Sequence, residues 1–349
     1  MIAQLESVKF AETVRLRPLI DVRSPGEFAQ GHVPGAINIP LFSDNERAVI
    51  GKLYVQRGRD QAILKGLDFA LPKTGRYLEI LQSKVPSGGT FRLHCWRGGL
   101  RSMLMGELFS HAGYHVEIVE GGYKAYRRAV RELFGLPFRV AILGGYTGSG
   151  KTAMLEQIAA AGGQVIDLER LACHKGSAFG SLGQPPQPTN EQFENDLHAE
   201  WTGLDPSGTI WMEDESRMIG RVTLPDPVFR LISESLLVVM EVPRETRIAR
   251  LVNEYAGFGQ ALLAGGVGRI TERLGGARSK EALAALASGE YARVAGIALA
   301  YYDKAYQHSM ERRTGKQVVR FIAGTDDLVA NAKNIMRMAE KHLDDGNIS

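Results

Sequence analysis

Two short stretches carry residues able to do chemistry together. The first is Gly145-Tyr146-Thr147-Gly148-Ser149-Gly150-Lys151-Thr152, set between the apolar run Val140 to Leu143 and the helix-forming run Ala153 to Ala160. Strand, glycine-rich turn, Lys-Thr and helix together make a phosphate-binding loop, a more demanding pattern than glycines alone. In such a loop Gly145, Thr147, Gly148, Ser149 and Gly150 turn backbone N–H groups toward phosphate oxygens, and the helix N-terminus adds partial positive charge. Lys151 reaches the terminal phosphate, and the Thr152 hydroxyl is where magnesium would bind. The expected ligand is a diphosphate or polyphosphate.

The second stretch is Cys95-Trp96-Arg97-Gly98-Gly99-Leu100-Arg101-Ser102, which follows the strand-like Thr90 to His94. A cysteine at a strand end, facing successive N–H groups and a helix N-terminus, has a stabilised thiolate. Arg97 and Arg101 add positive charge that favours both the thiolate and an anionic substrate. Gly98 and Gly99 leave room for amides to approach that anion. These neighbours set Cys95 apart from a buried structural cysteine and make it the candidate nucleophile. Cys173 has only His174 beside it and no second thiol at ligand spacing, so no zinc site is expected and Cys173 is assigned to packing.

Lys124, Arg127, Arg128 and Arg131 fall at i, i+3, i+4 and i+7 on one helix face. That face suits a nucleic-acid backbone, and equally a solvated helix surface. The net charge of +3 over 349 residues decides neither. Two cysteines make no disulfide framework, which favours a reducing, cytoplasmic setting. The first residues lack a signal-peptide core, and no apolar run reaches membrane-spanning length, so no membrane partner is expected.

The elements that must position these residues alternate. Strands are expected at Leu19 to Arg23, Thr90 to His94 and Val116 to Val119, with helices between and after them. Beyond the phosphate loop, strands are expected at Gln164 to Leu168, Thr209 to Glu215 and Leu236 to Val242. Such alternation predicts an α/β protein with mostly parallel sheets. Gly135-Leu136-Pro137 closes the basic helix and divides domains at 1–136 and 137–349, the second with a helical C-terminal region. Glu213, Asp214 and Glu215 form a possible magnesium-side element or a charged loop. Arg250 follows a strand where small P-loop kinases place arginines, and Gly265 to Arg278 reads as a mobile basic segment.

Asp21-Val22-Arg23, Glu27-Phe28, His32-Val33-Pro34-Gly35-Ala36-Ile37-Asn38-Ile39-Pro40, the Cys95 loop and Glu120-Gly121-Gly122-Tyr123 together resemble a rhodanese domain over about residues 5 to 135. Five residues separate Cys95 from Arg101, one more than in sulfurtransferase rhodaneses and the same as in phosphatase and arsenate-reductase relatives. The fold implied is an N-terminal rhodanese-like parallel-sheet domain before a C-terminal P-loop NTPase-like α/β domain. With His174-Lys175-Gly176-Ser177-Ala178-Phe179-Gly180 included, the whole chain resembles the tRNA 2-selenouridine synthase family.

That resemblance implies exchange of sulfur for selenium in wobble 2-thiouridine of tRNA. The co-substrates implied are selenophosphate and geranyl diphosphate, with an S-geranyl intermediate and a selenophosphate-producing enzyme as partner. Cys95 would attack selenophosphate and carry selenium as a persulfide-like adduct, with Arg97 and Arg101 holding the anion. Trp96 either stacks on the uridine or packs. The rival reading is a rhodanese-type sulfurtransferase or phosphatase fused to a small kinase. A regulatory nucleotide-binding protein whose Cys95 loop only senses anions is a further rival.

Overall fold

Strand-length apolar runs and longer helical runs alternate along the chain, and each run of alternation closes on its own parallel sheet. A computed structural model describes residues 2–5, 17–136, 138–311, 317–323 and 327–345. Two compact units result, Met1–Phe134 with Glu194–Thr202, and Gly135–Phe193 with Gly203–Ser349. Pro137, part of the expected boundary, lies outside the described residues. The first unit takes in a segment from far along the sequence that a division at 136/137 does not foresee.

In the first unit the order is β1 (Ile2–Leu5), β2 (Leu19–Asp21), α1 (Pro25–Gln30), β3 (Ile37–Asn38), α2 (Asp44–Arg57), α3 (Arg59–Ala70) and α4 (Thr74–Gln82). Then come β4 (Thr90–His94), α5 (Leu100–His111), β5 (His115–Val119) and α6 (Gly122–Leu133). The sheet runs β1-β5-β4-β2-β3, all parallel, so β4 is central and carries Cys95 at its C-terminal end. Phe91, Leu93, Met105, Phe109, Val116 and Ile118 form the core beneath it. Ser24 starts α1 with a capping box, its side chain accepting from Glu27 N–H while the Glu27 carboxylate accepts from Ser24 N–H.

Asp21 and Arg23 leave β2 as a fully buried ion pair, Nη2 to Oδ2 at 2.7 Å, with Arg23 also donating to the Gly31 carbonyl at 2.7 Å. The guanidinium lies 3.7 Å from the centre of the Tyr123 ring. A buried carboxylate stripped of its partner is costly. Arg23→Leu is therefore expected to destabilise this unit by about 3–5 kcal/mol, read as a lower midpoint in urea unfolding.

The second unit begins with β6 (Val140–Gly145), α7 (Lys151–Ala160), β7 (Gln164–Ile166), α8 (Leu168–Leu171) and α9 (Asn190–Trp201), whose later part belongs to the first unit. It continues with β8 (Ile210–Glu213), β9 (Met218–Ile219), β10 (Val222–Thr223), α10 (Asp226–Glu234), β11 (Leu236–Glu241) and α11 (Arg244–Tyr255). The rest is α12 (Gln260–Arg269), α13 (Thr271–Leu274), α14 (Gly276–Ala287), α15 (Tyr291–Glu311), β12 (Val318–Ile322) and α16 (Leu328–Asp345). Its parallel sheet runs β12-β11-β6-β8-β7. Every residue of the central strand β6 is buried, and the chain reverses strand order on either side of it, which opens a ligand crevice at its C-terminal end. Gly265 to Arg278 is mostly helical, and one of its glycines has a packing reason. A side chain on Gly266 would stand 2.2 Å from Phe179, so this glycine admits a ring and does not loosen the chain.

Candidate functional site

The Cys95 loop is held by its carbonyls. Cys95 O accepts from Tyr123 N–H at 2.9 Å and Trp96 O from Lys124 N–H at 2.9 Å, both free donors in the first turn of α6. A peptide N–H points opposite its carbonyl. The loop amides therefore face away from α6 and toward the sulfur, where the N–H groups of Arg97 and Ser102 reach it. The turn below must be glycine: Gly122 has φ 55°, and a Cβ there would be 2.3 Å from Cys95 O. Gly98, at φ 68°, fits 2.6 Å against Val119 O in the same sense. Gly99 starts α5, whose N-terminus completes the cradle.

Cys95 is buried. Burial pushes its thiol up, but the Ser102 hydroxyl, the Arg101 charge and the two amides outweigh that and hold it below its ordinary value. The Ser102 side chain is fully buried, and its hydroxyl meets no hydrogen-bond partner among the described residues. A depressed thiol is reactive at pH values where an ordinary cysteine is still protonated. Ser102→Ala is expected to move the midpoint of Cys95 alkylation to higher pH, as measured by iodoacetamide rate against pH.

Arg101 is not a free anion-binding arm. Its Nη1 lies 2.7 Å from Glu27 Oε2 and its Nη2 3.3 Å from Oε1, while Arg47 pairs with the same carboxylate at 3.1 Å. Burial raises the Glu27 carboxyl, yet these partners bring it down to about 2, so it stays ionised at neutral pH. Arg97 is exposed and makes no ion pair among the described residues. Trp96 is 38% exposed with its ring centre 5.8 Å from that of Tyr123, so it both packs and presents a face.

The basic face of α6 needs a correction. Arg127 turns inward, only 6% exposed, donating to Asn195 Oδ1 at 2.6 Å and pairing with Glu194. Helical spacing put it on the basic face, but that side of the helix is covered. Lys124, Arg128 and Arg131 are exposed, Arg128 within 3.8 Å of Glu132.

In the second unit Gly145, Thr147, Gly148, Gly150, Lys151 and Thr152 line one cavity of about 780 Å³. Ser149 is buried beside it, its carbonyl accepting from Arg250. Arg247 forms a two-pronged pair with Asp303 at 2.8 and 2.9 Å and donates to Thr147 O at 3.3 Å. Arg250, placed by sequence near a transferring phosphate, thus spends a donor on the loop backbone. Tyr306 accepts from Gly145 N–H at 2.9 Å and donates to Asp214 at 3.0 Å, tying the start of the loop to the end of β8. Lys151 donates to Gly145 O at 3.3 Å and Thr152 to Glu169 at 3.3 Å. Burial first, then the charge of Glu169, push Glu215 well up. Burial likewise raises Glu169, against the pull of Lys151.

A second, apolar pocket of about 60 Å³ shares Thr147, Ser177, Leu251, Tyr255 and Tyr302 with that cavity. Phe179, Leu263, Val294 and Leu299 are among its other walls. The Tyr302 hydroxyl is already engaged by Ala178 N–H at 2.8 Å. Sequence reasoning missed Ser102, Glu27, Arg247 and Tyr306. Only the first two left a local signal, one beside Arg101 and the other as the acid of a capping box.

The family model of the tRNA 2-selenouridine synthase AAA domain matches residues 138–336, and that of the rhodanese-like domain matches 3–129. A tRNA 2-selenouridine synthase from Marinobacter nauticus is 34% identical over 340 residues, 87% of this chain and 91% of that one. The chain belongs to the tRNA 2-selenouridine synthase family. Membership makes it a tRNA-modifying transferase of selenium chemistry with a rhodanese-like and a P-loop-type domain, as the motifs implied. A solved structure from Clostridium difficile 630, described as the N-terminal domain of an ATP/GTP binding protein, is 34% identical over 37% of this chain and 98% of its own. Its TM-score of 0.33 is too low for an argument about fold. Among the described residues no helix is long and apolar enough to cross a membrane.

Proposed function

We propose that this member of the tRNA 2-selenouridine synthase family works in two stages, one at each site. At the phosphate loop the sulfur of wobble 2-thiouridine attacks C1 of geranyl diphosphate. The C–O bond breaks, pyrophosphate leaves with its electron pair, and the N3 proton is lost. At the Cys95 loop selenophosphate supplies selenium to C2, and geranylthiol leaves. Alkylation is what makes the sulfur able to depart.

The observation that carries this reading is the apolar pocket beside the phosphate cavity. A nucleotide would need hydrogen-bonding groups for its base. The walls here are mostly aliphatic and aromatic, with Thr147 and Ser177 on the side shared with the phosphate cavity, and such a surface suits the start of a hydrocarbon chain better than a base. Lys151 and the loop amides suit the departing pyrophosphate. Magnesium fits as an aid: the Thr152 hydroxyl, Asp214 and Glu215 are hard oxygen donors on the cavity wall. Among the described residues no three acidic, histidine or cysteine side chains stand together at metal-holding geometry. Diphosphate oxygens and water would therefore fill most of the shell. Lys124, Arg128 and Arg131 are the proposed tRNA-backbone contacts, an enzyme producing selenophosphate is the proposed partner, and two free cysteines suit the cytoplasm.

The test is mass spectrometry of 2-thiouridine tRNA incubated with the protein, geranyl diphosphate and selenophosphate, omitting each in turn. A geranylated nucleoside that becomes 2-selenouridine only with selenophosphate is expected. TRNA unchanged in every mixture would refute the reading.

A further inference from the structure

The Cys95 loop is built for a tetrahedral oxyanion. Five residues lie between Cys95 and Arg101. The carbonyls of Cys95 and Trp96 are drawn into α6, the N–H groups of Arg97 and Ser102 reach the sulfur, the Arg101 charge lies beside it, and the Arg97 side chain is exposed in the same loop. Convergent amides and an arginine are what phosphoryl oxygens require. The Ser102 hydroxyl that ends this loop is fully buried and meets no hydrogen-bond partner among the described residues, a donor left free for the sulfur. A donor so placed stabilises a thiolate twice, as it attacks and again as it departs.

We infer that Cys95 attacks the phosphorus of selenophosphate, not its selenium. The S–P bond forms as the P–Se bond breaks, and that bond's electron pair leaves with selenium as hydroselenide. Hydroselenide adds to C2 of the S-geranyl base, geranylthiolate departs with the C2–S pair and takes a proton from water, and the selenium-bound proton moves to N3. Water then cleaves the cysteinyl phosphate, releasing orthophosphate and restoring the thiolate. Nothing is oxidised or reduced. Capture of selenium on sulfur would instead push the P–Se pair onto phosphorus and reduce it to phosphite, or call for an oxidant that neither co-substrate supplies. Hydroselenide is a weak base and leaves without a proton donor. Consistently, Glu27, the carboxylate paired with Arg101 among the described residues, stays ionised.

This inference rests on selenophosphate being the donor, and the experiment separates the two. Protein without tRNA is mixed with radiophosphorus-labelled selenophosphate and, in parallel, with radioselenium-labelled selenophosphate, then quenched and digested. Radiophosphorus on the Cys95 peptide is expected, absent in Cys95→Ser, with orthophosphate as the phosphorus product. Ser102→Ala is expected to slow hydrolysis of the intermediate about tenfold or more and so raise the trapped label, which a merely structural role would not do. Radioselenium on Cys95 with phosphite in solution would keep the donor and overturn attack at phosphorus. No label of either kind and no phosphorus product would overturn the donor itself.

Discussion

Cys95→Ser protein is expected to lose selenium incorporation by at least about 10³-fold while still geranylating 2-thiouridine tRNA. A serine hydroxyl is not ionised at neutral pH, and the donors that depress the thiol, Ser102, Arg101 and the loop amides, cannot bring an alcohol into range. The fold should survive, because the replacement is smaller and the loop is tied through the Cys95 carbonyl, not its sulfur. Following geranyl and selenium transfer in separate assays is the measurement. Equal loss of both would contradict a division of labour between the loops.

Lys151→Ala is the converse experiment. Geranyl transfer is expected to fall by about 10²–10³-fold, the scale for removing one preorganised donor from a developing anion. Conversion of tRNA that already carries the geranyl group should be nearly unaffected. Among the described residues Lys151 donates only to Gly145 O, at 3.3 Å, and its charge counters the burial of Glu169, which can take up a proton once the lysine is gone. An unchanged melting temperature with lost transfer would tie the effect to the diphosphate.

Both loops were legible in the sequence because each holds its chemistry within eight consecutive residues, bounded by a strand and a helix. What supports them was not. Tyr306 binds Gly145 across 161 residues, and Asp303 holds Arg247 across 56, separations at which no local pattern survives. Periodicity assigned Arg127 to a basic face correctly as geometry. It could not show that Glu194 and Asn195, 67 and 68 residues on, cover that side. Glycines between Gly265 and Arg278 suggested looseness, yet Gly266 makes room for Phe179 inside a helix. The missed elements share one cause: composition reports what a residue can do, while a distant neighbour decides what it does.

The segment Glu194–Thr202 makes the first unit discontinuous along the gene. Asn195 from that segment donates to the Tyr123 hydroxyl at 2.7 Å and to the His32 carbonyl at 2.8 Å, and Trp201 lies against Phe134. An open reading frame stopped after Phe134 would encode the whole Cys95 loop and still lack Asn195, which bonds the Tyr123 whose N–H holds the Cys95 carbonyl. Domain shuffling at the join would strand that helix with the wrong half. The rhodanese-like unit thus draws part of its packing from residues encoded well past the join.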